Sequence, residues 1–303
     1  MVITPVKPMP TPARTAAPKP AADQEPEDRV ETSVKTPLSH KVTAALCLGS
    51  GVAIAANIVR DVASQPGVGN KVATGALALG AAVAGYVSAD LVSGVFHHFI
   101  DNYPNEDTPI IGNLAYEFQT HHHNIHSLEK SSYLTNLHEA GKVMWVPLLA
   151  TAALNPGPLA SAFSLAFLEG AYLAQGSHRW AHMDNPPAIA KVLQKVGLAQ
   201  PKPNHQAHHK MPWDDYYCIV NGMWNKPLGK IDFFRKWEKA IHKVTGAEPN
   251  SWKDPAVKAF ALGEIDKDEF LKQKDLNRAE FARMIRAEWA ATDAKMAARH
   301  TQD

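Results

Sequence analysis

Twelve of the fifteen histidines lie between His97 and His209, and all but His138 fall in four sets: HHFID at 97–101, HHHNIH at 121–126, HRWAH at 178–182 and HQAHH at 205–209. Imidazole is neutral at pH 7 and suits iron, zinc, copper or nickel, so histidines gathered in this way point first to metal. The spacing sharpens the point. His97 with Asp101, and His178 with His182, are i,i+4 pairs that share one face of a helix, and His205 can share a face with both His208 and His209. One zinc ion takes about four ligands, so ten or so candidates on four segments are enough for two metals. Histidines held in a core or interface by hydrogen bonds are a poor account of the whole set, though a good one for an odd member such as His98.

A nitrogen-rich, carboxylate-poor site suits oxidative chemistry, because imidazole survives where thiolate would be oxidised. Cysteine is nearly absent: Cys47 and Cys218 lie far apart and form no CxxC, which argues against both a disulfide framework and a thiolate zinc site. Iron and O2 would give such a site the power to attack an unactivated C–H bond, with either a double bond or a hydroxyl group as the outcome. The rival from another class is hydrolysis by two zinc ions, with carboxylates drawn from Asp101, Asp184, Asp214 or Asp215. A metal transporter would put its histidines inside spanning helices, whereas these sit at helix ends and in loops.

The elements that must position these residues are apolar helices. Val42 to Val59 is a run of eighteen residues without a charge, long enough for a membrane helix. A second uncharged run, Val72 to Ala89, continues apolar past Asp90 to Phe99. Ala76, Gly80, Ala84 and Ser88 form a small-residue ridge of the kind that lets membrane helices approach closely. Met144 to Ser177 is apolar around Glu169 and broken by NPGP at 155–158, which predicts helices over about 141–154 and 158–178. The first is short for a crossing and could be re-entrant. An all-α membrane bundle of about four helices would bring His97, the 101–140 loop, His178 and the 205–209 segment to one membrane face. Lys and Arg in the C-terminal region make that face cytoplasmic by the positive-inside tendency.

Lys and Arg total 31 against 30 Asp and Glu, so nothing electrostatic favours a nucleic-acid partner. Residues 1–37 carry eight prolines and no aromatic residue, a composition that predicts a disordered tail. Lys7, Arg14 and Lys19, with no acid in the first 22 residues, are a weak hint of a transit peptide. The chain thus divides into a tail (1–37), a membrane catalytic domain (38–254) and a charged helical appendage (255–303). Phe260, Leu262, Ile265, Phe270, Phe281, Ile285 and Trp289 mark amphipathic helices in the appendage.

Five stretches carry a family resemblance: DLVSGVFHHFID at 90–101, EFQTHH at 117–122, HRWAH at 178–182, HQAHHKMP at 205–212 and YYCIVNGMWNKPL at 216–228. From Ala82 to Trp252 the chain resembles the plasmanylethanolamine desaturase family, which includes bacterial members and the plant chloroplast phosphatidylglycerol trans-3 desaturase. The resemblance implies an integral-membrane di-iron desaturase that uses O2 and electrons from a ferredoxin or cytochrome b5. Its substrate would be a chain of an intact phospholipid, and its product either a vinyl ether or a trans-3 acyl double bond.

Carried over by position, the metal ligands are His97, Asp101, His121, His122, His178, His182, His205, His208 and His209. His126 joins them as an extra histidine of HHHNIH, beside an unassigned His123, and His138 joins them because YLTNLH at 133–138 looks like the plant enzyme. Asp90, Ser93 and Gly94 would position the first motif, and Asn221 and Asn225 would hydrogen-bond ligands. His98 departs from the family, in which a tryptophan is common at that position.

Overall fold

The computed structural model describes residues 35–300, which form one compact unit. The proline-rich tail and its Lys7, Arg14 and Lys19 lie outside the described residues, apart from residues 35–37. Eleven α-helices are present among the described residues, and no strand. Five are long, and four of these come first and form the bundle: α1 (Leu38–Ala63), α2 (Gly67–Asn102), α4 (Tyr133–Leu154) and α5 (Pro158–His182). Short helices α3 (Gly112–Thr120), α6 (Ala188–Lys195), α7 (Lys202–His208), α8 (Asn225–Lys230), α9 (Phe233–Thr245) and α10 (Pro255–Leu262) precede the long α11 (Lys267–His300).

In the bundle, α2 packs against α5 and α1 against α4 and α5. Among the described residues, α1 and α2 are long and apolar enough to cross a membrane. Only 33% and 17% of their most apolar windows are buried, which decides against a core hairpin of a water-soluble protein. Val52, Val59, Val72, Leu79 and Val83 instead stand exposed on the outside, an apolar face that fits lipid. The protein is therefore membrane-associated.

Each connection has a local cause. Asn155 takes the left-handed conformation after α4, Gly157 follows with φ 98°, and Pro158 begins α5, so NPGP makes the tight reversal. The first helix of this hairpin is longer than the 141–154 expected. It starts at Tyr133, where Ser132 caps it by accepting the Thr135 N–H, and its 22 residues reach about 33 Å.

The ridge at Ala76, Gly80 and Ala84 is a correction. It points outward, and an added Cβ at Gly80 would meet nothing within 4 Å. The close approach to α5 falls on the neighbouring face, at Ala78, Gly85 and Ala89. A Cβ at Gly85 would strike the Phe163 carbonyl, and one at Gly170 would lie 3.0 Å from the Ala89 Cβ. At 36 residues α2 is about 54 Å long, well beyond a hydrocarbon core of about 30 Å. Its last third, buried from Ala89 onward on one face, carries His97 and Asp101 to the end of the bundle where α5 delivers His178 and His182.

Candidate metal centre

Nine side chains converge at that end in two adjacent groups. The first is His121, His178, His182, His205 and His209, and the second is His97, Asp101, His122 and His208; within each, the donor atoms all lie within 4.8 Å of one another. In the first group the Nε2 atoms of His182 and His205 are 2.7 Å apart, those of His205 and His209 2.9 Å, and those of His178 and His182 3.2 Å. In the second, Asp101 Oδ2 is 3.2 Å from His97 Nε2, 3.4 Å from His122 Nε2 and 3.5 Å from His208 Nε2. Ring contacts between His121 and His122 (4.5 Å) and between His122 and His209 (5.0 Å) join the two.

The spacing of the second group and of His178 with His182 suits a shared cation, while the 2.7 and 2.9 Å pairs of the first group are also hydrogen-bond distances. Two nitrogens bound to one ion at about 2.1 Å stand about 3.0 Å apart at right angles and about 3.4 Å apart in a tetrahedron. Among the described residues, His97 Nε2, His122 Nε2, His208 Nε2, His121 Nε2 and both Asp101 oxygens are buried with no hydrogen-bond partner. The Asp101 contacts are close but not aligned as hydrogen bonds. Within each group the donor atoms lie close enough to one another to share a metal.

The chain also fixes which nitrogen carries the proton. His97 Nδ1–H donates to the Tyr217 carbonyl at 2.9 Å, His208 Nδ1–H to the Asp215 carbonyl at 2.9 Å, His178 Nδ1–H to Gln175 Oε1 at 2.9 Å, and His121 Nδ1–H to the Phe118 carbonyl. Each of these bonds leaves Nε2 as the bare donor. Burial pushes the His121, His205 and His209 imidazoles well below the usual histidine range and His208 down to about 4, with neighbouring imidazoles adding to the effect. Neutral rings are the form a metal binds.

Residues 213–225 form the scaffold under the second group. Asp90 Oδ1 accepts the Asn221 and Gly222 N–H groups at 3.0 and 2.9 Å, and Oδ2 accepts the Trp224 N–H at 3.1 Å. Ser93 Oγ accepts the Ile219 N–H at 3.1 Å. Gly94 leaves room for Cys218, whose Sγ an added Cβ would strike. The first motif therefore positions a loop, and the loop's carbonyls position the ligands. Asn221 and Asn225 bond backbone at Gly197 and Cys218 rather than ligand imidazoles, which corrects their expected contact.

His126 and His138 lie outside both groups, contrary to expectation. After α3 the chain turns inward at His121 and His122 and then outward, so His126 reaches an exposed contact with Glu129 at 2.8 Å. His138 lies on the face of α4 that meets α1, stacked on His40 with ring centroids 3.9 Å apart. His123 also faces away, toward Asp293 and Trp289 of α11. His98 has the core role expected of an odd histidine: its Nε2 lies 3.0 Å from buried Glu238, which also takes Arg235, Ser251 and Trp252.

Other positioning residues escaped the motif reading. Arg179, between two candidate ligands, donates to the Leu128 and Ser131 carbonyls at 2.7 and 2.6 Å and so pins the loop that follows HHHNIH. A fixed charge inside HRWAH was the available signal. Tyr217 is fully buried against His97, His98 and His208, and only its place in a matched motif marked it. Of the carboxylates that a zinc hydrolase would draw on, Asp101 is in the second group, while Asp184 is exposed against Lys202 and Asp214 pairs with Lys274.

Residues 86–252 match the lipid desaturase domain family, and the chain belongs to that family. It is 36% identical over 178 residues to fatty acid desaturase 4-like 1, chloroplastic, of Arabidopsis thaliana, covering 58% of this chain and 60% of that protein. It is 33% identical over 191 residues to the plasmanylethanolamine desaturase of Myxococcus xanthus, covering 61% of this chain and 68% of that one. With plasmanylethanolamine desaturase 1 of Mus musculus it shares 28% identity over 180 residues, 56% of this chain and 66% of the other. The match spans about three fifths of the plant relatives' length. No solved structure matches the chain.

Proposed function

We propose that the protein is an O2-dependent di-iron membrane desaturase that removes two hydrogens from a chain of an intact phospholipid. The observation that carries this is the convergence of eight histidines and one aspartate, from four sequence segments, into two touching groups of donor atoms. Two iron ions held there would supply, with O2, the oxidising power that an unactivated C–H bond requires.

The chain's own residues do the rest. Tyr217, Asp215, Gln175 and Phe118 hold the protons on Nδ1 and keep Nε2 free. Burial of His97, His121, His178, His205 and His208 excludes bulk water, which would quench an oxidant. Burial also pushes the Cys218 thiol well above its usual range, so no thiolate stands beside the centre. Phe96 and Phe99 flank His97 and stand exposed on α2, an apolar approach by which a lipid chain arrives without crossing water. The scarcity of carboxylates, with Asp101 alone in the groups, favours oxidation over zinc-dependent hydrolysis.

In this reading α4 and α5 span the membrane with α1 and α2, and the centre faces the cytoplasm on the side of the Lys- and Arg-bearing C-terminal helices. Electrons come from a ferredoxin or a cytochrome b5.

The test is lipid mass spectrometry on a host that expresses the protein and is fed an alkyl-ether phospholipid. A product lighter by two hydrogens and cleaved by mild acid establishes vinyl-ether formation. Loss of two hydrogens from phosphatidylglycerol alone, in an acid-stable product, establishes acyl desaturation. Gain of one oxygen, or no change with a donor present, defeats the desaturase reading.

A further inference from the structure

The centre is buried, yet the proposed reaction needs electrons from outside. With R and R′ as the two ends of the lipid chain, the balance is R–CH2–CH2–R′ + O2 + 2 e− + 2 H+ → R–CH=CH–R′ + 2 H2O. The substrate gives two of the four electrons that reduce O2 to water. A one-electron carrier protein must give the other two, singly, and it docks in water. His97 and His208 have no exposed surface, so the second group meets the exterior at Asp101 and His122, beside the cavity that they help to line.

One side chain lies between His122 and the outer helix. Trp213 meets His122 edge-on with ring centroids 5.4 Å apart, and on its other side it meets Trp289 of α11 at 5.0 Å. Trp289 is half-buried on a helix whose neighbouring residues, Arg286 and Glu288 among them, are exposed. The contacts that hold α11 in place are specific: Lys274 with Asp214 at 2.6 Å, Tyr116 with Asp293 at 3.0 Å, and His123 stacked on Trp289 at 4.3 Å. A cavity of about 340 Å³ lies alongside, lined by Asp101, His122, Trp213 and Trp289 among others.

Trp213 also packs on Phe281 of α11, with ring centroids 5.5 Å apart. Its backbone is left-handed, with φ 57°, a conformation that bulky side chains rarely adopt and that is kept where the surroundings force it. Its indole Nε1 is buried with no hydrogen-bond partner among the described residues, so hydrogen bonding does not explain the ring's position. The strained backbone, besides turning the chain toward the Asp215 and Tyr217 carbonyls, places a tryptophan ring between a candidate ligand and the outer helix.

We propose that Trp289 and Trp213 form an aromatic path, an unreduced relay, through which electrons tunnel one at a time from the outer face of α11 to His122. The relay rests on the redox reading of the centre given above. Its inner half lies within the matched residues 86–252 and its outer half beyond them, so the appendage takes part in the reaction.

The test puts a photoreductant on α11. Cys47 and Cys218 are both buried, so Arg286→Cys creates one exposed thiol for a ruthenium polypyridyl label, one turn before Trp289. Reduction of the iron-loaded protein after a flash is followed by absorbance. Trp213→Leu is expected to slow it by an order of magnitude or more, with Trp213→Phe losing less, while iron content and reduction by dithionite stay at the parent's values. Trp289→Leu, on an outer helix where misfolding is less of a risk, is expected to act in the same direction. Unchanged flash rates in either leucine variant overturn the relay. So does a parallel fall in iron content and dithionite reduction, which would make Trp213 a packing residue. A parent protein that loads iron but is not reduced even by dithionite refutes the redox reading itself, a result distinct from failure of the relay.

Discussion

Asp90 is a single buried side chain on which the second group's geometry depends, and its replacement gives a graded prediction. Its carboxylate takes three backbone N–H groups, from Asn221, Gly222 and Trp224, and has no exposed surface. Asp90→Ala leaves three donors without a partner, each worth about 1–3 kcal/mol when buried. Relaxation of the loop toward water recovers part of this, so the expected loss is about 3–5 kcal/mol. Asp90→Asn keeps Oδ1 for two of the donors but turns an NH2 group toward the Trp224 N–H. One charge-assisted bond is lost, at about 1.5–3 kcal/mol. The loop also carries the Tyr217 carbonyl that orients His97, so iron affinity should fall with stability, by about 10–100-fold as for other residues that orient ligands. Thermal unfolding and iron content of purified protein in detergent measure both effects, with the order parent, Asn, Ala. Both variants unfolding within about 0.5 kcal/mol of the parent, or Asn proving worse than Ala, would refute the reasoning.

Gly94→Ala should destabilise by about 1–3 kcal/mol through overpacking against Cys218, and adding Cys218→Ala should relieve part of the loss; equal stability of parent and single variant would show that the contact yields freely. His205→Ala and His208→Ala should abolish iron binding and lipid desaturation while the protein remains in the membrane fraction. His126→Ala and His138→Ala should keep the parent's iron content, and loss of iron from either would restore that residue to the ligand set. Acid should destabilise the metal-free protein. His208 folds with its imidazole lowered to about 4 from 6.5, so between those values the unfolded chain binds more protons. Stability is then fully present above pH 6.5 and falls as pH drops toward 4, by about 3 kcal/mol from His208 alone. A urea midpoint equal at pH 7.5 and pH 5 would count against neutral burial.

Spacing carried the ligand set a long way. An i,i+4 pair fixes two side chains on one helical face wherever the helix lies, so His97 with Asp101 and His178 with His182 were legible before any fold was known. The same logic failed at HHHNIH and at His138. The first is a helix end followed by turns, and no period predicts which of four histidines faces inward; the structure turns in His121 and His122 and turns out His123 and His126. His138 is on a helix, but the face that α4 shows to the centre depends on how α1 packs, and His40 is what it meets. The small-residue ridge failed for a related reason. Two rows of small residues run along α2, and only the tertiary partner, Phe163 and Gly170 of α5, selects Ala78, Gly85 and Ala89 over Ala76 and Gly80.

What composition hid most completely was the scaffold that sets proton positions. Four of the nine donors are oriented through Nδ1, three by backbone carbonyls and one by Gln175, and a carbonyl has no residue type to read. The carbonyls of Asp215 and Tyr217 point correctly only because the chain passes through left-handed conformations at Trp213 and Tyr216, which neither residue type favours. The strain therefore marks where the chain bends to serve the second group, on the side where Trp213 and α11 also meet it. The first group, built largely from α5 and α7 ends, has no carboxylate and no strained neighbour of this kind. The two halves of the centre thus differ in charge and in their contact with the exterior. An ion in the second group faces one negative ligand, and the polar cavity opens beside it. An ion in the first is enclosed by imidazoles alone. That asymmetry puts the water-facing side of the centre at Asp101 and His122, beside the cavity, and the enclosed side at the five histidines.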